Sequence, residues 1–236
     1  MDDPALDEMR HIEALQGLER LNFFSGSARV VWTAIADLLQ GQAPAAGSAQ
    51  SCPCPGAAGL RILDIATGGG DMPIRLWHKA RRAGLDPAID ACDLSLQALK
   101  YASQRAEEAG ARVRFFQLDA LSDAIPPGYD VVVSSLFFHH LDQHDAVRLL
   151  GKMAFAARRM VVVNDLERSR TNLLLTTIAT RLLSRSGVVH HDGPASVRAA
   201  YTIEEIKAIA KGAGLAEIAV RACWPCRFLL TGRGLS

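Results

Sequence analysis

Ile62-Leu63-Asp64-Ile65-Ala66-Thr67-Gly68-Gly69-Gly70-Asp71 carries an apolar stretch straight into a glycine-rich turn, and Pro73 to Ala83 continues at helical spacing. A strand, a glycine turn and a helix in that order bring free backbone N–H groups and the positive end of a helix to one point. The glycines let the backbone approach a ligand closely. By itself the turn predicts a nucleotide-type site and nothing narrower.

Outward from it, short β-branched or apolar runs alternate with helical stretches. The runs are Arg61 to Ile65, Ala88 to Cys92, Val113 to Gln117, Val131 to Ser134 and Met160 to Asn164, and the helices include Leu96 to Ala109 and Asp145 to Ala156. Strands that are apolar throughout and separated by helices are what a parallel sheet covered on both faces requires. Two more runs, about Glu217 to Ala222 and Arg227 to Gly232, follow each other with only Cys223-Trp224-Pro225-Cys226 around the join, which predicts an antiparallel end. The expected fold is α/β: a doubly wound, seven-stranded, mostly parallel sheet with an antiparallel last strand.

Before this core, apolar residues at Leu6, Met9, Ile12, Leu15 and Leu18, then at Val30, Val31, Ala34, Ile35, Leu38 and Leu39, recur at helical spacing. Gly41 to Gly59 is rich in Ala, Gly, Ser, Pro and Gln and has too little bulk to pack. Residues 1–59 thus read as a helical flap and a flexible linker, and residues 60–236 as one domain. Within that domain, Leu166 to Ala200 interrupts the alternation with a helical run, Leu173 to Leu183, and a polar stretch, Val188 to Pro194. An insertion after the fifth strand lies above the carboxyl edge of the sheet, where such folds bind ligands, so 166–200 is the expected lid.

Composition narrows the partners. Twenty-six basic and 25 acidic residues leave a formal charge of +1, with no basic run able to neutralise a phosphate backbone, which argues against nucleic acid. No uncharged apolar stretch of membrane-spanning length occurs, and Met1-Asp2-Asp3-Pro4 lacks the basic and apolar regions of a signal peptide, so no membrane partner and a cytoplasmic location are expected. The five cysteines, Cys52, Cys54, Cys92, Cys223 and Cys226, are an odd number. Cys223-Trp-Pro-Cys226 has redox or zinc spacing, but nothing in the chain repeats it in matched form, and a strand plus a linker is the plainer reading. No metal site is expected.

A strand, a glycine turn and an acid about 20 residues on, here Asp93, also describe a dinucleotide site. That fingerprint wants a small residue where Pro73 stands, and it would set Asp71 beside a pyrophosphate. S-adenosylmethionine (SAM) carries an ammonium and a sulfonium and no phosphate, so carboxylates at Asp64 and Asp71 suit it better. Asp64-Ile-Ala-Thr-Gly68-Gly-Gly70-Asp71 resembles the first motif of class I SAM-dependent methyltransferases, near the ubiquinone/menaquinone C-methyltransferase and polyketide-tailoring branches, with Ala66 in place of the first glycine. The resemblance spans about residues 60 to 232 and implies a Rossmann-like methyltransferase domain. Asp64, Ala66, Thr67, Gly68, Gly70 and Asp71 would then hold the methionine part of SAM, Asp93 the ribose hydroxyls, Leu94 the adenine face, and Asp119 with Ala120 the adenine amino group. Ser134 and Ser135, after the fourth strand, would line the transfer site with Leu136.

For the acceptor, the resemblance and the ends of strands four and five point to Phe138, Asn164, Asp165, His190 and Arg198 as contacts, and to His140, His139, His191 and Tyr201 as groups that could remove a proton. The two adjacent histidines could equally orient the next helix. The expected reaction is methyl transfer from SAM to oxygen or carbon of a small aromatic, phenolic, quinone-like or polyketide acceptor, leaving S-adenosylhomocysteine (SAH), in a monomer or homodimer. A SAM-binding protein without transfer activity and an NAD-dependent oxidoreductase are the alternatives.

Overall fold

A computed structural model of the chain describes residues 26–41, 59–183 and 187–234, with the backbone alone between 178 and 192. The segment Leu6 to Leu18, most of the linker, Cys52 and Cys54 lie outside the described residues. Seven strands form one sheet in the order β3-β2-β1-β4-β5-β7-β6: β1 (Arg61–Ile65), β2 (Ala88–Asp93), β3 (Val113–Gln117), β4 (Tyr129–Ser135), β5 (Ala157–Leu166), β6 (Ala216–Cys223) and β7 (Arg227–Arg233). The first five are parallel, and β7 runs antiparallel to both β5 and β6. Strand order reverses between β1 and β4, and in a doubly wound sheet the crevice at that point receives the ligand.

Burial explains why these runs became central strands. In β1 every residue after Arg61 is buried, and Val131, Val132 and Val133 of β4 are sealed from solvent on both faces. On one face α1 (Ser27–Gln40), α2 (Asp71–Arg82) and α3 (Leu96–Glu108) pack, with Val31, Ile35 and Leu76 against Ile62, Val131 and Val162. On the other face lie α4 (Gln143–Ala156) and α7 (Ile203–Gly212), with Leu149, Leu150, Met153 and Ile206 against Leu63, Val132 and Val161. The edge strand β6 instead alternates partly buried and exposed positions as far as Val220 and Arg221.

Two elements differ from the sequence expectation. The polar stretch from Val188 forms a helix, α6 (Gly187–Ala199), paired with α5 (Arg170–Leu183). Its weak apolar period hid it, but Val197 and the following Ala200 are buried, and tertiary packing holds it despite Pro194 inside. Helix α7 also went unread, although Thr202 accepts from Glu205 N while Glu205 accepts from Thr202 N, a full capping box. Among the described residues no helix is long and apolar enough to cross a membrane. Cys223-Trp-Pro-Cys226 is the turn of the β6–β7 hairpin, and Cys92, Cys223 and Cys226 are all free thiols.

Candidate functional site

At the switch point the ends of β1, β2 and β4 meet. Ala66 and Leu136, the residues directly after β1 and β4, both have left-handed backbones, φ 55° and 57°. A side-chain-bearing residue is strained there, at about 1–2 kcal/mol, and such strain clusters where backbone is shaped around a ligand. Gly68 and Gly70 are left-handed as well, but they serve different ends. A Cβ on Gly68 would meet no atom within 4 Å, whereas one on Gly70 would lie 2.9 Å from the Ala102 methyl. Gly68 therefore opens onto the crevice. Gly70, expected to touch cofactor, lets the start of α2 press against α3.

The acids sort into distinct tasks. Asp64 is 1% exposed, and its Oδ1, like the hydroxyl of Thr67, is buried without a hydrogen-bond partner. Burial outweighs the opposing pull of the nearby Thr67 hydroxyl and, reinforced by Asp93 and Asp71, pushes the Asp64 carboxyl up to about 7. An orphaned buried acceptor of this kind calls for a cationic or donor group to arrive from outside the protein. Asp71 is not available in that way, because Arg105 Nη1 lies 2.8 Å from its Oδ1 and donates also to Gly69 O at 2.9 Å. Arg105 was not legible as a site residue, being a lone arginine on a helix whose partner, Asp71, lies 34 residues away in sequence.

Asp93 ends β2 as expected, but both its oxygens are already engaged. Oδ2 accepts from Gly68 N at 2.8 Å and Oδ1 from Ser95 N at 2.9 Å, so its first task is to tie the β1 turn to the β2 turn, with a second lone pair on each oxygen left over. Ser95 caps α3 through Ala98 N. Leu94 stands beside the crevice with 62% of its surface exposed, a bare apolar face. Asp119 Oδ1 accepts from Leu121 N and Ser122 N, and these bonds hold its carboxyl below the ordinary range. The turn it shapes is pinned from α4 by Lys152, whose ammonium donates to the carbonyls of buried Ala120, Leu121 and Asp123.

On the acceptor side several expected contacts are turned inward. Ser134 is fully buried and its hydroxyl bonds Ile65 O, which fastens β4 to β1, while Ser135 is only half-buried. Phe138 is fully buried in the core. Asn164 is fully buried and donates to Phe228 O across the β5–β7 pair. Tyr201 spends its hydroxyl on Leu141 O at 2.7 Å. These four hold the walls together because strand ends that face the sheet must satisfy their own polar atoms.

Asp165 and His139 form a buried pair. Asp165 accepts from Phe138 N (2.7 Å) and Leu166 N (2.6 Å), and its Oδ1 lies 2.7 Å from His139 Nδ1. His139 and these bonds pull the Asp165 carboxyl below the ordinary carboxylate range despite its burial. The pair sits on a 3-10 turn, Phe138–His140, against which α6 packs. His140 is exposed, with its ring centroid 4.1 Å from that of His139. The cap of α4 is neither histidine but Asp142, which accepts from Asp145 N. Arg198 is exposed on the last turn of α6, and His190 and His191 lie on its backbone with side chains outside the described residues. Arg227, buried at the start of β7 with Nη1 3.5 Å from Asn164 Oδ1, had no signal in the sequence beyond opening that strand.

Comparison with known proteins fits this geometry. Residues 62–159 match a family described as a methyltransferase domain. Over 105 residues the chain is 34% identical to demethylmenaquinone methyltransferase of Thermus thermophilus, a match covering 44% of this chain and 46% of that protein. The chain spans less than half the length of the curated relatives it matches. Human N-acetylserotonin methyltransferase, solved with SAM, superposes with a TM-score of 0.67 at 14% identity, over 98% of this chain and 57% of that one. Magnesium protoporphyrin IX methyltransferase of Synechocystis, solved with SAH, gives 0.58 at 16%, over 99% and 90%. These two likenesses show a shared fold. Residues 62–159 thus match the methyltransferase-domain family, and the glycine turn and sheet order around them are similar to those of class I SAM-dependent methyltransferases.

Proposed function

We propose that this chain binds SAM in the β1–β4 crevice and transfers its methyl group to oxygen or carbon of a small aromatic, phenolic, quinone-like or polyketide acceptor. The observation that carries the reading is the buried, unpartnered carboxylate oxygen of Asp64 beneath an open glycine turn. It fits the ammonium of the methionine part, and the spare lone pairs of Asp93 and the bare face of Leu94 fit ribose and adenine. When bound, SAM supplies an activated methyl on a sulfonium. The chain's own work is to align the acceptor, exclude water and remove a proton.

For the proton, the geometry favours His139. Asp165 fixes one ring nitrogen, which leaves Nε2 as an acceptor when the ring is neutral, the arrangement in which a carboxylate orients a base. Helices α5 and α6 serve as the cover, and the acceptor preference follows from the named activity of the Thermus relative and the absence of a basic run.

Calorimetric titration with SAH, beside NADH, on the native chain and on Asp93→Ala tests the cofactor. The expected result is binding of SAH that weakens about tenfold or more in the variant, since it loses hydrogen bonds to a charged group. No heat with SAH, or a clear NADH isotherm, overturns it. Incubation with SAM and a panel of phenols and quinols, read by the mass of one added methyl, tests transfer; SAH binding with no methylated product leaves a binding protein.

A further inference from the structure

The crevice takes the carboxyl ends of the strands, and their amino ends carry a second surface. There Gly59, Arg61, Asp86, Asp90, Arg112 and Arg114 line a groove of about 680 Å³. Strand β1 is five residues long, about 16 Å at the rise of a strand, so the groove stands about that far from the glycine turn. The acids at this end are committed within the chain. Asp86 Oδ1 accepts from Arg81 Nη1 at 2.8 Å and from Arg112 Nη2 at 2.7 Å. Asp90 accepts from Arg114 and from the Tyr129 hydroxyl, and Asp130 Oδ2 accepts from Arg61 N. The guanidiniums keep most of their surface in solvent, with the Arg112 and Arg114 side chains 72% and 69% exposed. Two more converge on one glycine: a Cβ on Gly128 would lie 3.4 Å from Arg158 Nη2 and 3.6 Å from Arg61 Nη1. Arg158 is exposed and makes no ion pair among the described residues. Crowded like charges repel, and an anion arriving from outside relieves them.

We propose that this amino edge of the sheet is a docking surface for an acidic, extended segment of a partner protein, with Phe155 as its apolar anchor. The width of the surface selects a segment over a small anion. Arg112 and Arg114 belong to the β3 side and Arg158 to β5, and β3 and β5 stand four strands apart in the sheet order. At about 4.8 Å per strand that is about 19 Å, wider than one carboxylate or phosphate can bridge and equal to about six residues of extended chain. Phe155 is brought to the same end, because α4 closes at Ala156, whose carbonyl accepts from Gly128 N. It is 77% exposed, and an aromatic beside arginines is the composition that anchors protein partners. Asp86, Asp90 and Asp130 lie among the arginines, so a continuous phosphate backbone would meet carboxylates, whereas a peptide can place its acids at the guanidiniums alone. A second copy related by a two-fold axis would set these arginines against each other.

The test is fluorescence anisotropy on the full chain. The probe is a labelled peptide of about eight residues, with glutamate at every third position and a phenylalanine at one end, beside a counterpart with glutamine for each glutamate. The glutamate peptide should bind, more weakly as salt is added, and the glutamine peptide should not. Arg112→Gln combined with Arg158→Gln should weaken binding about fivefold, the loss of two exposed ion pairs, and Phe155→Ser by a similar factor. Both arginines are exposed and Asp86 retains Arg81, so the double variant keeps its fold. Arg112→Lys with Arg158→Lys should stay near native, as should Arg221→Gln, an exposed arginine near the other end of the sheet on β6. The affinity for SAH should be the same in all of these. Equal binding of the two peptides overturns the proposal, and so does a loss in the double glutamine variant no greater than in Arg221→Gln. Tighter binding of an oligothymidylate of equal charge replaces the protein partner with a nucleic acid and refutes the reading. Self-association of the native chain that the double variant abolishes refutes it too, by giving the edge to a second copy.

Discussion

Replacing Asp64 by Asn should make the ligand-free protein more stable, by a margin that shrinks when ligand is bound. The carboxyl is buried and pushed up to about 7 from an ordinary 3.8. A raised acid binds its proton more tightly when folded than when unfolded. Its contribution is therefore undiminished below pH 3.8, declines as pH rises, and is fully lost above 7. At about 1.36 kcal/mol per unit, holding the ionised group costs about 4 kcal/mol at pH 8, of which about 2 kcal/mol develops between pH 5.5 and 8. Asn carries no such term. For a domain of this size each kcal/mol shifts the midpoint by about 2–4 °C, so the melting advantage of Asp64→Asn over the native chain should widen by about 4–8 °C from pH 5.5 to 8. Paired thermal melts at the two pH values measure it. With saturating SAH that advantage should shrink, because the variant loses a charge-assisted hydrogen bond worth about 1.5–3 kcal/mol. A melting difference that is the same at both pH values refutes the claim that Asp64 is an uncompensated buried acid.

Arg105→Met should destabilise the chain by about 1–3 kcal/mol, since it strands Asp71 half-enclosed and frees Gly69 O; adding Asp71→Asn should restore part of the loss in denaturant melts. Tyr201→Phe should lose about 1 kcal/mol for the bond to Leu141 O and retain methyl transfer within a few-fold, and a complete loss of turnover in a folded variant would assign the hydroxyl to the chemistry after all. Gly70→Ala meets the Ala102 methyl at 2.9 Å with φ at 76°, so its melting point should drop steeply, by 2 kcal/mol or more, while a Gly68→Ala chain folds with less penalty and loses SAH affinity instead.

The sheet was legible because its central strands are apolar on both faces. Arg61–Ile65 and Val113–Gln117 fall where the alternation put them, Asp64 stands one residue before the end of β1, and Asp93 closes β2. What stayed hidden depends on which way a side chain points. Ser134, Phe138 and Asn164 occupy the right strand ends, yet they face into the sheet or core, and a one-residue step along a strand reverses that facing. Arg105, Lys152 and Arg227 meet partners 34, 31 and 63 residues away in sequence, separations that no local pattern records. Helix α6 escaped because its polar sequence is held by burial of Val197 and not by its own period.

The double engagement of Asp93 carries a further consequence. One carboxylate clasps Gly68 N with one oxygen and Ser95 N with the other, so the loops after β1 and β2 form a single stiff rim across two recognition points. A ligand does not have to assemble that rim as it arrives. Adenosine alone or methionine alone should find its half already shaped, and each fragment should bind with an affinity indifferent to the presence of the other.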